Sequence, residues 1–254
     1  MSFVIDFGWL QAFMLAGVRM VAFLIVAPPF AGGAFPARIK AMLGIGLALA
    51  VSPAVTPGFH TLETGPFIGA LVLEAAAGAL FGFLVLLIFA AVQSAGSLVD
   101  MFGGFQLAQG YDPQSMVNGA QFARLFHMTA MALLFASGGY QLLVGGLVRT
   151  FSAWPLGSAV DLAAPAQAMI HGLTQMFLAA VQIAGPLLIV LFLADAGLGL
   201  LTRVAPALNA FALGFPAKIL LTLVLGSVAF VALPQIVSEL VERSAALLIG
   251  GGSR

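Results

Sequence analysis

Six apolar runs dominate this chain, at 8–31, 41–57, 66–92, 124–148, 173–201 and 213–237. A helix needs about 20 mostly apolar residues to cross the hydrocarbon of a bilayer. The rest of the chain cannot dissolve six such runs in water. It carries nine acidic and nine basic side chains, 7% of its residues, against 62% hydrophobic. A soluble domain is about 25% charged. The chain is therefore read as an integral membrane protein, a single membrane domain over residues 1–254. Lipid supplies no hydrogen-bond partner to the backbone, and the strand alternation of a barrel is absent. The spans are expected to be helices and the fold class all-α. A formal net charge of zero excludes nucleic acid as a partner.

The second run is short and meets Ser52-Pro53 and Thr56-Pro57-Gly58, which predict a helix stop. No basic segment or small-residue cleavage site surrounds the first run, so it is expected to stay in the mature protein. The connections differ in kind. Residues 32–40 form a tight basic turn, and 58–65 are short. Residues 93–123 form a long, Gly- and Gln-rich connection. Residues 149–172 read as a surface loop with an amphipathic piece, 202–218 as a Pro-containing link, and 238–254 as an amphipathic tail. Arg38, Lys40, Arg124, Arg203 and Lys218 would share one side, and Arg149, Arg243 and Arg254 the other. By the positive-inside bias this favours both termini outside.

Three charges interrupt the runs: Arg19, Glu74 and Asp195. A charge at the middle of a span costs about 2.5–3.5 kcal/mol on insertion scales, so such groups face protein or water. Arg19 could pair with Glu74 or with Asp195. One reading is an ion or proton relay, the coupling site of a small secondary transporter. The other is an ion pair that fixes helix register or meets a neighbouring subunit. Gly78 and Gly82, Gly44 and Gly46, and Gly197 and Gly199 are small-residue patterns that permit close helix approach.

No catalytic constellation is present. The chain has no cysteine, and His60, His127 and His171 lack metal-ligand spacing. No nucleophile, zinc-protease or phosphate-loop motif occurs, so no enzyme activity, cofactor or metal is expected.

The segment Phe102-Gly103-Gly104-Phe105-Gln106-Leu107, continuing to Gly110-Tyr111-Asp112, is too apolar for a solvated loop and too interrupted for a span. Irregular backbone at membrane depth is tolerated only where protein or a cavity surrounds it. It reads either as a plug or re-entrant loop, or as a loop packed over helix ends. Gly103, Gly104 and Gly110 would let its backbone change conformation.

Four stretches carry a resemblance that covers nearly the whole chain. The first is Val18-Arg19-Met20 with Ala27-Pro28-Pro29-Phe30 and Phe35-Pro36-Ala37-Arg38-Ile39-Lys40. The second is Ala91-Val92-Gln93-Ser94-Ala95-Gly96. The third is the Gly/Gln-rich connection to Asp112-Pro113, with Asn118 and Ala123-Arg124. The fourth is Gly197-Leu198-Gly199-Leu200-Leu201-Thr202-Arg203-Val204-Ala205-Pro206, with Asn209 and Gly214-Phe215-Pro216. In order, spacing and hydrophobic frame they resemble FliR and its injectisome counterpart SctT, of the type III secretion export gate. One departure is Ser97, where that family often has an acidic residue.

The resemblance implies helices arranged as hairpins, which need not all cross the bilayer. It implies a multi-pass protein of the bacterial inner membrane, in the basal body of a flagellum or injectisome. Implied partners are FliP-like and FliQ-like gate subunits, FlhB-like and FlhA-like export proteins, membrane lipid and the unfolded polypeptide being secreted. Phe102 to Asp112 match the loop thought to help plug the channel. A small secondary transporter and a pore-less assembly scaffold are the other classes compatible with the residues.

Overall fold

The computed structural model describes residues 6–28, 30–32, 35–105, 121–158, 163–205 and 210–250. Every regular element among them is an α-helix. The order is α1 (Phe7–Val26), α2 (Ala37–Val55), α3 (Thr64–Phe102), α4 (Gln121–Ala136), α5 (Gly139–Ala153), α6 (Ala163–Val204) and α7 (Ala210–Gly250). Five are long and apolar enough to cross a membrane, or six if the bent pair α4 and α5 counts as one span. The protein is an all-α, multi-pass membrane protein.

Three helices outrun their apolar stretches. α3, α6 and α7 contain 39, 42 and 41 residues, about 60 Å each at 1.5 Å per residue. The link expected from Gln93 is helical as far as Phe102, and much of the loop expected over 149–172 is helix. Hydropathy finds where a helix is apolar. It misses turns built with Gln93, Ser94 and Ser97, whose backbone groups join the ladder although their side chains carry no apolar signature. The fourth run, by contrast, is not one helix. It breaks between Ala136 and Gly139, where Gly138 adopts φ 72°, a left-handed conformation natural to glycine. α2 also continues past Pro53 to Val55 and is capped by Thr56, whose N–H and Oγ1–H both donate to the Ser52 carbonyl.

The chain divides into two compact units, Met1–Ile88 with Gly138–Leu173 and Leu240–Arg254, and Phe89–Ser137 with Thr174–Glu239. In the first, Asp6 caps α1 by accepting from the N–H groups of Gly8 and Trp9. Ala12, Leu15, Ala16, Arg19, Met20, Phe23 and Leu24 then form its buried stripe, at the three- and four-residue spacing of one helical face. Gln11 exchanges two hydrogen bonds with the Leu62 backbone, at 3.0 and 2.9 Å. Helices approach closely at glycines. Gly44 lies against the Val21 backbone, and Gly78 and Gly82 lie against the backbone of α1 at Arg19 and Phe23. The Gly78-x-x-x-Gly82 pattern, common by chance in so Gly-rich a chain, is here a packing face.

In the second unit, Gly96 of α3 meets the Ala123 backbone of α4, and Gly226 of α7 meets the Phe122 ring. Val92, Ala95, Val99, Phe126, Ala130, Leu134, Leu191 and Leu233 are buried there. Gly197 and Gly199, by contrast, have nothing within 4 Å of where a side chain would begin.

A methyl group at Gly78 must displace the Arg19 carbonyl. Gly78→Ala is expected to destabilise the protein by about 1–3 kcal/mol, the usual penalty of overpacking. Gly46→Ala, in mid-helix and with nothing within 4 Å, is expected to stabilise by about 0.5–1 kcal/mol. Thermal unfolding of both variants in the same detergent measures the contrast.

Candidate functional site

Arg19 lies past the middle of α1 and is 1% exposed. An isolated guanidinium there would be untenable, and its neighbours neutralise it group by group. Its Nε donates to Glu74 Oε2 of α3 at 2.5 Å. Its Nη1 donates to Thr150 Oγ1 of α5 at 3.4 Å, and its Nη2 to the Trp154 carbonyl at 3.0 Å. The guanidinium also sits 4.2 Å from the centre of the Phe151 ring, a cation–π arrangement strengthened by desolvation. Thr150 in turn donates to the Leu147 carbonyl, and the Trp154 ring packs on Phe81. One cation thus joins α1, α3 and the end of α5. Glu74 was visible in the sequence as a partner. Thr150, Phe151 and Trp154 were not, because none is charged and all lie over a hundred residues away.

Asp195 does not join this cluster. Its partner is Lys218 of α7, a residue read as part of a link. The side chains of Asp195 and Lys218 are 47% and 20% exposed. Lys218 lines an otherwise apolar groove between α6 and α7, with Ala194, Gly197, Leu198, Leu201 and Leu221. No group of three or more potential metal ligands occurs among the described residues.

The Gly-rich connection is described at its start. Phe102 ends α3 and is half-buried, while Gly103 and Gly104 are buried. Gly103 lies against Thr222 of α7, and Gly104, at φ 82°, faces the Phe215 ring. Phe105 meets the Phe122 ring edge-on, with centroids 5.3 Å apart. Gln106, Leu107, Gly110, Tyr111 and Asp112 lie outside the described residues. Beside this start is a residue that the sequence reading passed over. Asp100, wholly buried in α3, accepts from the N–H groups of Phe122 and Ala123 in the first turn of α4, at 2.9 and 3.0 Å. A lone acid at the end of an apolar run was the available signal.

The outward faces of α6 and α7 are apolar. Phe177, Val181, Ile189, Phe192, Leu200 and Val204 are exposed on α6, and Leu220, Leu223, Val228 and Val231 on α7. Polar groups that tie helices internally, with apolar side chains turned outward, define a multi-pass helical protein that needs lipid or other subunits around it. The chain belongs to the bacterial export proteins, family 1, whose family model matches residues 10–244, the family of FliR and SctT. It is a component of a type III secretion export apparatus.

Among its relatives is the flagellar biosynthetic protein FliR of Escherichia coli K12, 29% identical over 92% of this chain and 88% of that protein. FliR of Bacillus subtilis 168 is 29% identical over 98% of both. The Yop proteins translocation protein T of Yersinia pestis is 33% identical over 68% of this chain and 67% of its own length.

The two ion pairs should respond differently to mutation. Glu74→Ala leaves Arg19 buried without its counter-charge and is expected to cost about 3–5 kcal/mol. Asp195→Ala takes one partner from a pair on the outer face of α6, within the stretch that lipid or another subunit covers, and is expected to unfold the isolated chain less than Glu74→Ala while lowering the yield of the assembled complex. Comparing both variants by unfolding in detergent checks this, and equal losses would contradict it.

Proposed function

We propose that this protein is a subunit of the type III secretion export gate in the bacterial inner membrane. There it forms part of the protein-conducting channel with FliP-like and FliQ-like subunits. The observation that carries this reading is the length of the exposed apolar surface on α6. From Phe177 to Val204 it runs 28 residues, about 40 Å of helix. The hydrocarbon core is about 30 Å thick. Lipid alone would have to accommodate that surface by a tilt near 40°, the limit of the observed range, by a kink or by local thickening. Apolar surfaces of neighbouring subunits cover it with none of these.

The same reading assigns the rest of the chain. The whole of 1–254 acts as one gate domain, because α3, α6 and α7 each contribute to both compact units. FlhB-like and FlhA-like proteins are its neighbours in the apparatus, and the secreted unfolded polypeptide is its cargo. The connection from Phe102 to Asp112 is the obstruction of the closed channel. A dewetted apolar constriction blocks ions without a rigid wall, and a flexible one can yield to a polypeptide. The subunit has no catalytic step of its own. A transporter coupling site made from Arg19, Glu74 and Asp195 has less support, since Asp195 pairs with Lys218.

Two outcomes test the proposal. Co-expressed with FliP-like and FliQ-like proteins, the chain should purify with them as one detergent-stable particle. A monodisperse folded monomer that ignores them would remove the gate reading. Deleting residues 106–110 should then leave that particle intact but make cells leaky to small ions and solutes, measured as conductance or solute sensitivity. An assembled deletion mutant as tight as wild type would sink the plug assignment and leave the gate assignment standing.

A further inference from the structure

The carboxylate of Asp100 serves a helix other than its own. The first four N–H groups of a helix have no partner within it. Two of those in α4, from Phe122 and Ala123, are taken by the two oxygens of Asp100. A negative charge there also meets the positive end of the α4 dipole. One turn earlier on α3, Gly96 lets the Ala123 backbone come in close; a Cβ on Gly96 would lie 2.6 Å from Ala123 Cα. Phe105 adds its edge-on contact with Phe122. These contacts gather the two ends of the connection at one neck, with residues 96–105 on one side and 121–123 on the other.

Covalent continuity does not make that neck. The intervening residues, 106–120, would span about 50 Å if extended. The cap, the close approach at Gly96 and the ring contact hold the ends together. Among them the carboxylate is the polar element, and its loss leaves two backbone N–H groups in an environment where unpaired donors are costly.

We propose that Asp100 is the positioning residue of this connection: by capping α4 from α3 it fixes both ends of the connection to one base. This rests on the reading of the connection as the channel's obstruction, and the experiment keeps the two apart.

The chain has no cysteine, so Val99→Cys, beside Asp100 and 1% exposed, installs a single thiol at the neck. Its labelling by a water-soluble maleimide is followed in the assembled complex, with and without Asp100→Asn. The amide keeps the shape of the side chain but turns a donor toward one of the two N–H groups. Expected are normal assembly, labelling faster by about ten-fold, the scale of one lost buried hydrogen bond, and a membrane leaky to small solutes. Unchanged labelling in assembled Asp100→Asn overturns the proposal, whether or not the membrane leaks. Faster labelling with a tight membrane supports the clamp and counts against the obstruction. Should Asp100→Asn fail to assemble, Asp100→Glu replaces it, keeping the charge but carrying the carboxylate past the two N–H groups it serves. Faster labelling there supports the proposal, and unchanged labelling overturns it. Loss of assembly in both variants also overturns it, because a residue serving the connection leaves subunit interfaces untouched.

Discussion

Burying the Arg19 guanidinium is the constraint around which the first compact unit is arranged. A cation near the middle of an apolar helix must be met from several directions at once, and each direction requires an element. α3 brings Glu74, α5 brings Thr150 and the face of Phe151, and the turn after α5 brings the Trp154 carbonyl. Gly78 belongs to the same arrangement. It brings α3 against the Arg19 carbonyl, four residues beyond Glu74 on the same face. Close backbone approach and charge pairing therefore specify one register between α1 and α3. In lipid, where apolar contact alone discriminates poorly between helix faces, that specification matters more than it would in water.

The second unit solves a different problem with a related device. Its buried charge is an acid, Asp100, and its partners are backbone donors. Arg19 joins helices side to side, whereas Asp100 joins the flank of one helix to the end of another. Both groups are satisfied by neighbours inside their own unit. The Asp195–Lys218 pair is not enclosed in this way, and Lys218 lines the apolar groove between α6 and α7. The contrast separates groups that hold the chain together from one placed where a neighbour would reach it.

Much of the fold was legible because lipid is an exacting solvent. Six apolar runs in a chain so poor in charge admit few other interpretations, and helices follow from backbone satisfaction alone. Helix lengths were not legible. Polar turns such as Gln93 to Asp100 extend a ladder without an apolar signature, and a single left-handed glycine at 138 divides an unbroken apolar run. Of the site, Arg19 and Glu74 stood out as misplaced charges. Lys218, the partner of Asp195, was hidden in what read as a link. Asp100 was hidden because its partners are backbone N–H groups, which every residue but proline possesses and no residue type advertises.

The Arg19 cluster also has a consequence in time. Glu74 follows Arg19 by 55 residues, Thr150 by 131 and Trp154 by 135. At roughly 5–20 residues per second of synthesis, the cation waits about 3–11 s for its counter-charge. Its last two acceptors arrive about 7–27 s after it. Throughout that interval α1 is a poor candidate for release into lipid and a good one for retention beside the insertion machinery. α1 thus reaches its final surroundings only once α5 and the Trp154 carbonyl have been made, 135 residues after its cation.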